Sequence, residues 1–127
     1  MRALLDTHTF IWWDGEPSRL SPRVLALLQD PSCEVLLSVV SLWEMLIKSQ
    51  LGKMTIRLPL AEIVAQQVDN GLTVLPVTID HVLDLEGLPA VHKDPFDRLL
   101  IAQARVEGAV LLSVDQVFSQ YPVPLIW

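Results

Sequence analysis

Five acidic side chains stand close to where apolar segments end. Asp6 directly follows the run Ala3–Leu5, Glu44 lies a few residues past the run Val35–Leu37, and Asp115 follows Val110–Leu112 after Ser113 and Val114. Asp94 and Asp97 open an amphipathic stretch that leads into the last of these runs. Carboxylates are hard oxygen ligands, and scattered segments that bring theirs to one rim would suit Mg2+ or Mn2+ with water in the remaining positions. One or two such ions, about 4 Å apart if two, neutralise a phosphodiester, lower the pKa of an attacking water and stabilise the leaving oxygen. The chemistry within reach is metal-dependent phosphodiester cleavage, which needs no protein nucleophile.

Each acid also has a structural role open to it. Ser41-Leu42-Trp43-Glu44 fits a capping box, and Glu44 with Lys48 fits an i,i+4 surface pair. Asp94-Pro95-Phe96-Asp97 reads as an N-cap, a proline at N1 and an acid at N3. The cap accounts for Asp94, while Asp97, one turn inside the helix, is placed to aim its carboxylate along the rim toward Asp6. Asp115 can cap a short helix over 116–121, and Asp6 can make an Asx-turn with Thr7 or His8. His8, His81 and His92 lack the i,i+3 or i,i+4 spacing of a zinc site, so capping or solvated roles are expected, although His8 and His92 can approach the rim behind the acids. There is no Gly-x-Ser-x-Gly, and the five glycines form no phosphate-binding loop. Lys48, Lys53 and Arg57 follow Glu44, and Lys93 and Arg98 flank the Asp94/Asp97 pair. These five cations are candidates to steer a phosphate backbone toward the metal; solvated surface charge is the alternative.

Bringing the acids together requires strands that alternate with helices. The runs Ala3–Leu5, Val35–Leu37, Thr73–Val77 and Val110–Leu112 lack polar alternation, as parallel strands buried on both faces do, and Val123–Trp127 reads as a short edge strand. One helix should open at Ser21-Pro22, with Val24, Leu25, Leu27 and Leu28 as its apolar face, and others should cover 41–50, 59–69 and 79–86. The clearest runs from Asp94-Pro95 to about Glu107, with Phe96, Leu99, Leu100 and Ala104 as a stripe and Gly108 as the stop. Such alternation predicts an α/β fold with right-handed crossovers, a sheet covered on both faces, and ligands beyond the carboxyl ends of the strands.

Composition bounds the rest. At 127 residues, 51% hydrophobic and 19% charged, the chain is sized for one domain, residues 1–127, and is too apolar to be disordered. The richest apolar stretch, Val35–Trp43, is far shorter than the roughly 20 residues a membrane span needs. With Cys33 as the single cysteine no internal disulfide forms, and a cytoplasmic location is expected. Trp12, Trp13, Trp43 and Trp127 read as core or interface aromatics; the adjacent pair cannot point both rings one way, so one is expected to face a partner chain. A net charge of −6 excludes a polybasic nucleic-acid coat. Without the five rim acids, however, 10 acidic residues face 9 basic ones, so the acidity is mostly the candidate metal site.

Several segments together carry a resemblance. Leu4-Leu5-Asp6-Thr7-His8, Ser41-Leu42-Trp43-Glu44 with Lys48 and Leu51-Gly52-Lys53, the stretch from His92-Lys93-Asp94-Pro95-Phe96-Asp97-Arg98 through Leu99-Leu100-Ile101-Ala102-Gln103-Ala104, Ser113-Val114-Asp115 and the tail Tyr121–Trp127 resemble the PIN-domain ribonuclease toxins of the VapC type, from end to end. The resemblance implies a PIN-like three-layer α/β/α sandwich around a mostly parallel sheet of four to five strands, with an acidic pocket that binds Mg2+ or Mn2+ and cleaves RNA. Carried over position by position, the family's catalytic, metal-holding acids fall on Asp6, Glu44, Asp97 and Asp115. Alignment of the Leu-Leu-Ile-Ala-Gln-Ala stretch selects Asp97 over Asp94, which joins Thr7 and Ser113 as a supporting residue; Ser113 stands where relatives often carry Thr. The partners implied are an RNA substrate, a second copy of the chain in a homodimer, and a DNA-binding antitoxin in the hetero-oligomer of a type II toxin-antitoxin system. Two other readings compete. A receiver-type phosphoacceptor domain would want an acidic pair after the first strand and a late lysine, but Asp6 is followed by Thr7-His8 and Lys93 is the last lysine. A PIN-like binding module with a decayed pocket would not be expected to keep all four acids.

Overall fold

The computed structural model describes all 127 residues. The apolar runs become strands β1 (Arg2–Leu5), β2 (Glu34–Ser38), β3 (Thr73–Leu75), β4 (Val110–Leu112) and β5 (Leu125–Ile126). All pairings are parallel, and the order across the sheet is β3-β2-β1-β4-β5. Six helices connect them: α1 (Thr7–Gly15), α2 (Pro22–Gln29), α3 (Val39–Gln50), α4 (Leu60–Asp69), α5 (Ile79–Asp84) and α6 (Pro95–Glu107).

The absence of polar alternation now has its cause, because successive strand residues enter two different cores. Leu4, Leu36 and Leu111 pack with Leu100, Ile101 and Ala104 of α6 on one face. Ala3, Leu5, Leu37 and Leu112 pack with Phe10 of α1, Val24 of α2, Met45 of α3 and Ile63 of α4 on the other. A three-layer α/β/α sandwich results. The first strand lies in the middle: the chain builds outward through β2 to β3, then crosses to the other side of β1 for β4 and β5. The β1/β4 boundary is therefore the switch point at which such sheets leave a crevice beyond the strand ends. Register aligns Leu5 with Leu112, which makes the residues that follow, Asp6 and Ser113, neighbours across that boundary.

Some element boundaries differ from the sequence reading. Helix α1 was not anticipated, since Thr7–Gly15 carries no one-sided apolar stripe; it forms because Asp6 caps it and Phe10 anchors it in the core. Helix α3 begins at Val39 rather than 41, directly off β2, with Ser38 Oγ accepting from Val40 N at 3.0 Å. Ser41 and Glu44 are thus interior helix residues, not a capping box. Strand β3 stops at Leu75 because Pro76 has no N–H for the ladder, and α5 tightens into a 3-10 turn over Leu85–Gly87.

Leu4, fully buried in the central strand, should be among the costliest positions to truncate. Leu4→Ala is expected to lose about 2–5 kcal/mol in chemical denaturation; a loss below 1 kcal/mol would contradict a sheet packed on both faces.

Candidate active site

Asp6 joins the scaffold to the rim. Its N–H donates to Leu112 C=O at 3.1 Å, continuing the β1/β4 ladder by one residue. Its Oδ1 accepts from Thr9 N at 2.8 Å as the N-cap of α1, so the expected Asx-turn is a full cap. The Ser113 hydroxyl donates to Oδ2 at 2.5 Å. Each oxygen keeps a second lone pair, so capping does not use the carboxylate up.

Glu44, 3% exposed, lies in the second turn of α3 and faces inward. The Thr7 hydroxyl donates to Oε1 at 2.6 Å and lies 3.0 Å from Ser41 Oγ, while Lys48 Nζ donates to Oε2 at 2.6 Å. The i,i+4 pair is real but not a surface pair. At the head of α6, Asp94 Oδ1 accepts from Phe96 N and Asp97 N at 2.9 and 3.3 Å, which frees Asp97 at N3 for other work. Asp97 Oδ2 meets His92 Nε2 at 2.7 Å. Asp115, exposed, caps the 3-10 turn Gln116–Gln120 by accepting from Val117 N, and its own N–H donates to Ser113 Oγ at 3.0 Å.

All five acids line one cavity of about 500 Å³, shared with Thr7, His8, His92 and Lys48. Lys48 is the only lysine or arginine there, so five carboxylates face one ammonium. Burial pushes the Asp6 carboxyl above its ordinary range, although the Ser113 and Thr9 hydrogen bonds pull the other way. Burial likewise lifts Asp97 to about 6, with Asp94 and Glu44 adding to the rise and His92 opposing it. The Glu44 hydrogen bond also holds the Lys48 ammonium above its ordinary range, against the opposing effect of burial, and so keeps it charged. Hard oxygen donors short of countercharge in a partly desolvated cleft are what a divalent cation would complete, so the donor set fits Mg2+ or Mn2+. His92, Asp94 and Asp97 also bring possible ligand atoms within 4.8 Å of one another.

The remaining candidate cations stand elsewhere. Arg57 is held by Asp14 and Gln66 at 3.0 and 3.1 Å, and Arg98 donates to Pro89 C=O at 2.8 Å. Lys53 and Lys93 are exposed and do not line the cavity. Of the tryptophans, Trp12 packs edge-on against Trp127 at 5.8 Å, and Trp43 is the most open at 59% exposure, resting on Phe96 at 5.2 Å. Trp43 is thus the most outward of the four, while Trp12 and Trp13 are half-buried. Sequence spacing did not single out Tyr121, whose hydroxyl accepts from His92 N at 2.7 Å. His81, fully buried, takes a capping role in α5 and pairs with Glu107.

The model of the PIN domain family matches residues 3–124. The chain belongs to the PIN-domain family. Among curated proteins, this PIN domain is 27% identical over 123 residues to Ribonuclease VapC22 of Mycobacterium tuberculosis, covering 96% of this chain and 93% of that protein. Among solved structures its fold matches VapBC2 from Rickettsia felis bound to a promoter DNA fragment, with a TM-score of 0.76, 16% identity and 99% and 98% of the two chains covered. DNA-bound VapBC from Salmonella typhimurium follows with a TM-score of 0.69, 16% identity and coverage of 99% and 97%. The receiver-type reading finds no support beside these. No helix of the PIN domain is long and apolar enough to cross a membrane.

The electrostatics of the rim set a pH dependence. A carboxyl that binds its proton more tightly when folded makes the fold less stable as pH rises from its unfolded pKa to its folded one. For Asp97 that window runs from 3.8 to about 6, and at about 1.4 kcal/mol per tenfold change in proton affinity the effect reaches roughly 3 kcal/mol. Asp6 acts in the same direction. Metal-free protein should therefore gain stability to urea as pH falls from 7.5 to 5, and Asp97→Asn should flatten the curve; parallel curves for the two proteins would contradict this electrostatic picture.

Proposed function

We propose that this PIN domain is the toxin of a type II toxin-antitoxin system, a VapC-type endoribonuclease dependent on Mg2+ or Mn2+. The observation that carries the reading is the gathering of Asp6, Glu44, Asp94, Asp97 and Asp115 from separate segments into one cavity at the β1/β4 switch point. Likeness to a ribonuclease along nearly the whole chain supports RNA as the substrate. Likeness to VapBC complexes supports an antitoxin partner that binds DNA. Exposed Val39, Trp43 and Leu46, at helical spacing along α3, offer an apolar stripe for the homodimer or the antitoxin.

In this reading Asp6 and Asp97 are the principal cation ligands, and Glu44 and Asp115 complete the site directly or through water. Bound there, the cation neutralises phosphate charge and acidifies water, the two services that phosphodiester hydrolysis needs. The protein's own groups prepare that site. Ser113 and Thr9 hold the Asp6 carboxylate in one orientation, Thr7 and Lys48 do the same for Glu44, and Asp94 sets the first turn of α6 that carries Asp97. Lys48, the one lysine lining the cavity, is the cation placed to meet a phosphate there, and the exposed Lys53 and Lys93 are left for longer-range attraction of the RNA backbone, whereas Arg57 and Arg98 are engaged by Asp14 and Pro89 C=O.

Asp6→Asn and Asp97→Asn should each abolish Mg2+- or Mn2+-dependent cleavage of RNA while leaving circular dichroism unchanged. Mn2+ should raise the melting temperature of the wild type. Undiminished cleavage by rigorously purified Asp6→Asn protein would remove the assignment, and a folded wild type that cleaves no RNA would favour a binding module.

A further inference from the structure

His92 lies in the extended segment between the Leu85–Gly87 turn and α6, with no helix or strand to hold it. It is nevertheless fixed at two points. Its backbone N–H donates to the Tyr121 hydroxyl at 2.7 Å, and Tyr121 is 4% exposed, embedded in the core beneath α6 with Leu88 and Val123. Its imidazole Nε2 meets Asp97 Oδ2 at 2.7 Å. A third contact steadies the same segment, since Arg98 Nη1 donates to Pro89 C=O at 2.8 Å. The C-terminal segment thus reaches, through one phenol and one imidazole, the carboxylate that opens the other side of the rim.

We propose that His92, anchored by Tyr121, is a positioning residue for the cation site: its Nε2–H holds Asp97 Oδ2 and leaves Oδ1, which accepts no hydrogen bond from the protein, for the cation. This rests on the cation site proposed above and adds a residue to it. Carboxylate ligands work best when their second oxygen is tied, because an untied carboxylate spends rotational freedom on binding. Against a charged carboxylate the imidazole acts as donor, so Nε2 carries the proton and is not free to bind the cation itself. The first turn of α6 does not hold the Asp97 carboxylate: the N–H groups of Phe96 and Asp97 go to Asp94, and the one hydrogen-bond partner of the Asp97 side chain, His92, lies outside the helix.

The test is Mn2+ titration of the full chain, followed by the electron paramagnetic resonance of free Mn2+, without substrate. His92→Leu is expected to weaken Mn2+ binding by roughly 10- to 100-fold, and His92→Gln, whose amide N–H reaches the same place, to restore most of it. Should His92→Leu not fold, His92→Asn, with an amide too short to reach Asp97, takes its place with the same expected loss. Wild-type affinity in a folded His92→Leu or His92→Asn protein overturns the positioning role. So does nitrogen hyperfine coupling to bound Mn2+ that vanishes with His92, since the imidazole would then be a direct ligand. The underlying reading fails separately: Asp97→Asn must lose Mn2+ binding, and a wild type that takes up none overturns both.

Discussion

Like charges do not collect unaided, and the rim exists because the fold supplies more to each carboxylate than their mutual repulsion removes. Asp6 shows how. One residue past the central strand it extends the β1/β4 ladder through its N–H, caps α1 with one oxygen and receives the Ser113 hydroxyl on the other. Those three bonds fix the carboxylate at the point where strand order reverses, and the flanking segments take their places around it. Burial still costs it, as the upward shift of its pKa records. That residual strain in electrostatic energy is what a divalent cation would relieve.

Capping and metal binding are usually weighed as alternatives for an acid at a helix start, but here the same side chains serve both. A cap takes one or two of the roughly four acceptor sites of a carboxylate. Asp6, Asp94 and Asp115 each cap a helix or turn while lining the cavity. The cap positions a carboxylate more rigidly than a solvated side chain could hold itself. Three of the five acids thus owe their orientation to the secondary structure they begin.

Cations are distributed in the opposite way. Arg2 joins Glu34 and Glu107, Arg57 joins Asp14, and Arg105 joins Asp84, all away from the rim. Lys48 alone enters the cavity, where its partner is Glu44. The net charge of −6 is therefore concentrated rather than spread. A phosphate backbone approaching a bare rim would be repelled, so cation binding and substrate binding are coupled by electrostatics alone.

Periodicity made most of the fold legible. Runs without polar alternation marked β1, β2 and β4 within a residue or two, and Ser21-Pro22 and Asp94-Pro95 marked the starts of α2 and α6, because these signals are local. Helix α1 escaped notice because it lacks an apolar stripe; its stability comes from a cap and from tertiary burial of Phe10. The start of α3 was misplaced because the capping residue, Ser38, is still inside a strand. From sequence alone came the acids, their positions near strand and helix ends, and the two-faced sheet, all of which follow from residue type and spacing. Only the tertiary structure decided that Glu44 is buried against Thr7, that Arg57 is engaged by Asp14, and that Tyr121 reaches His92. Those contacts join residues 37, 43 and 29 positions apart, and no local pattern encodes a distance that the fold alone creates.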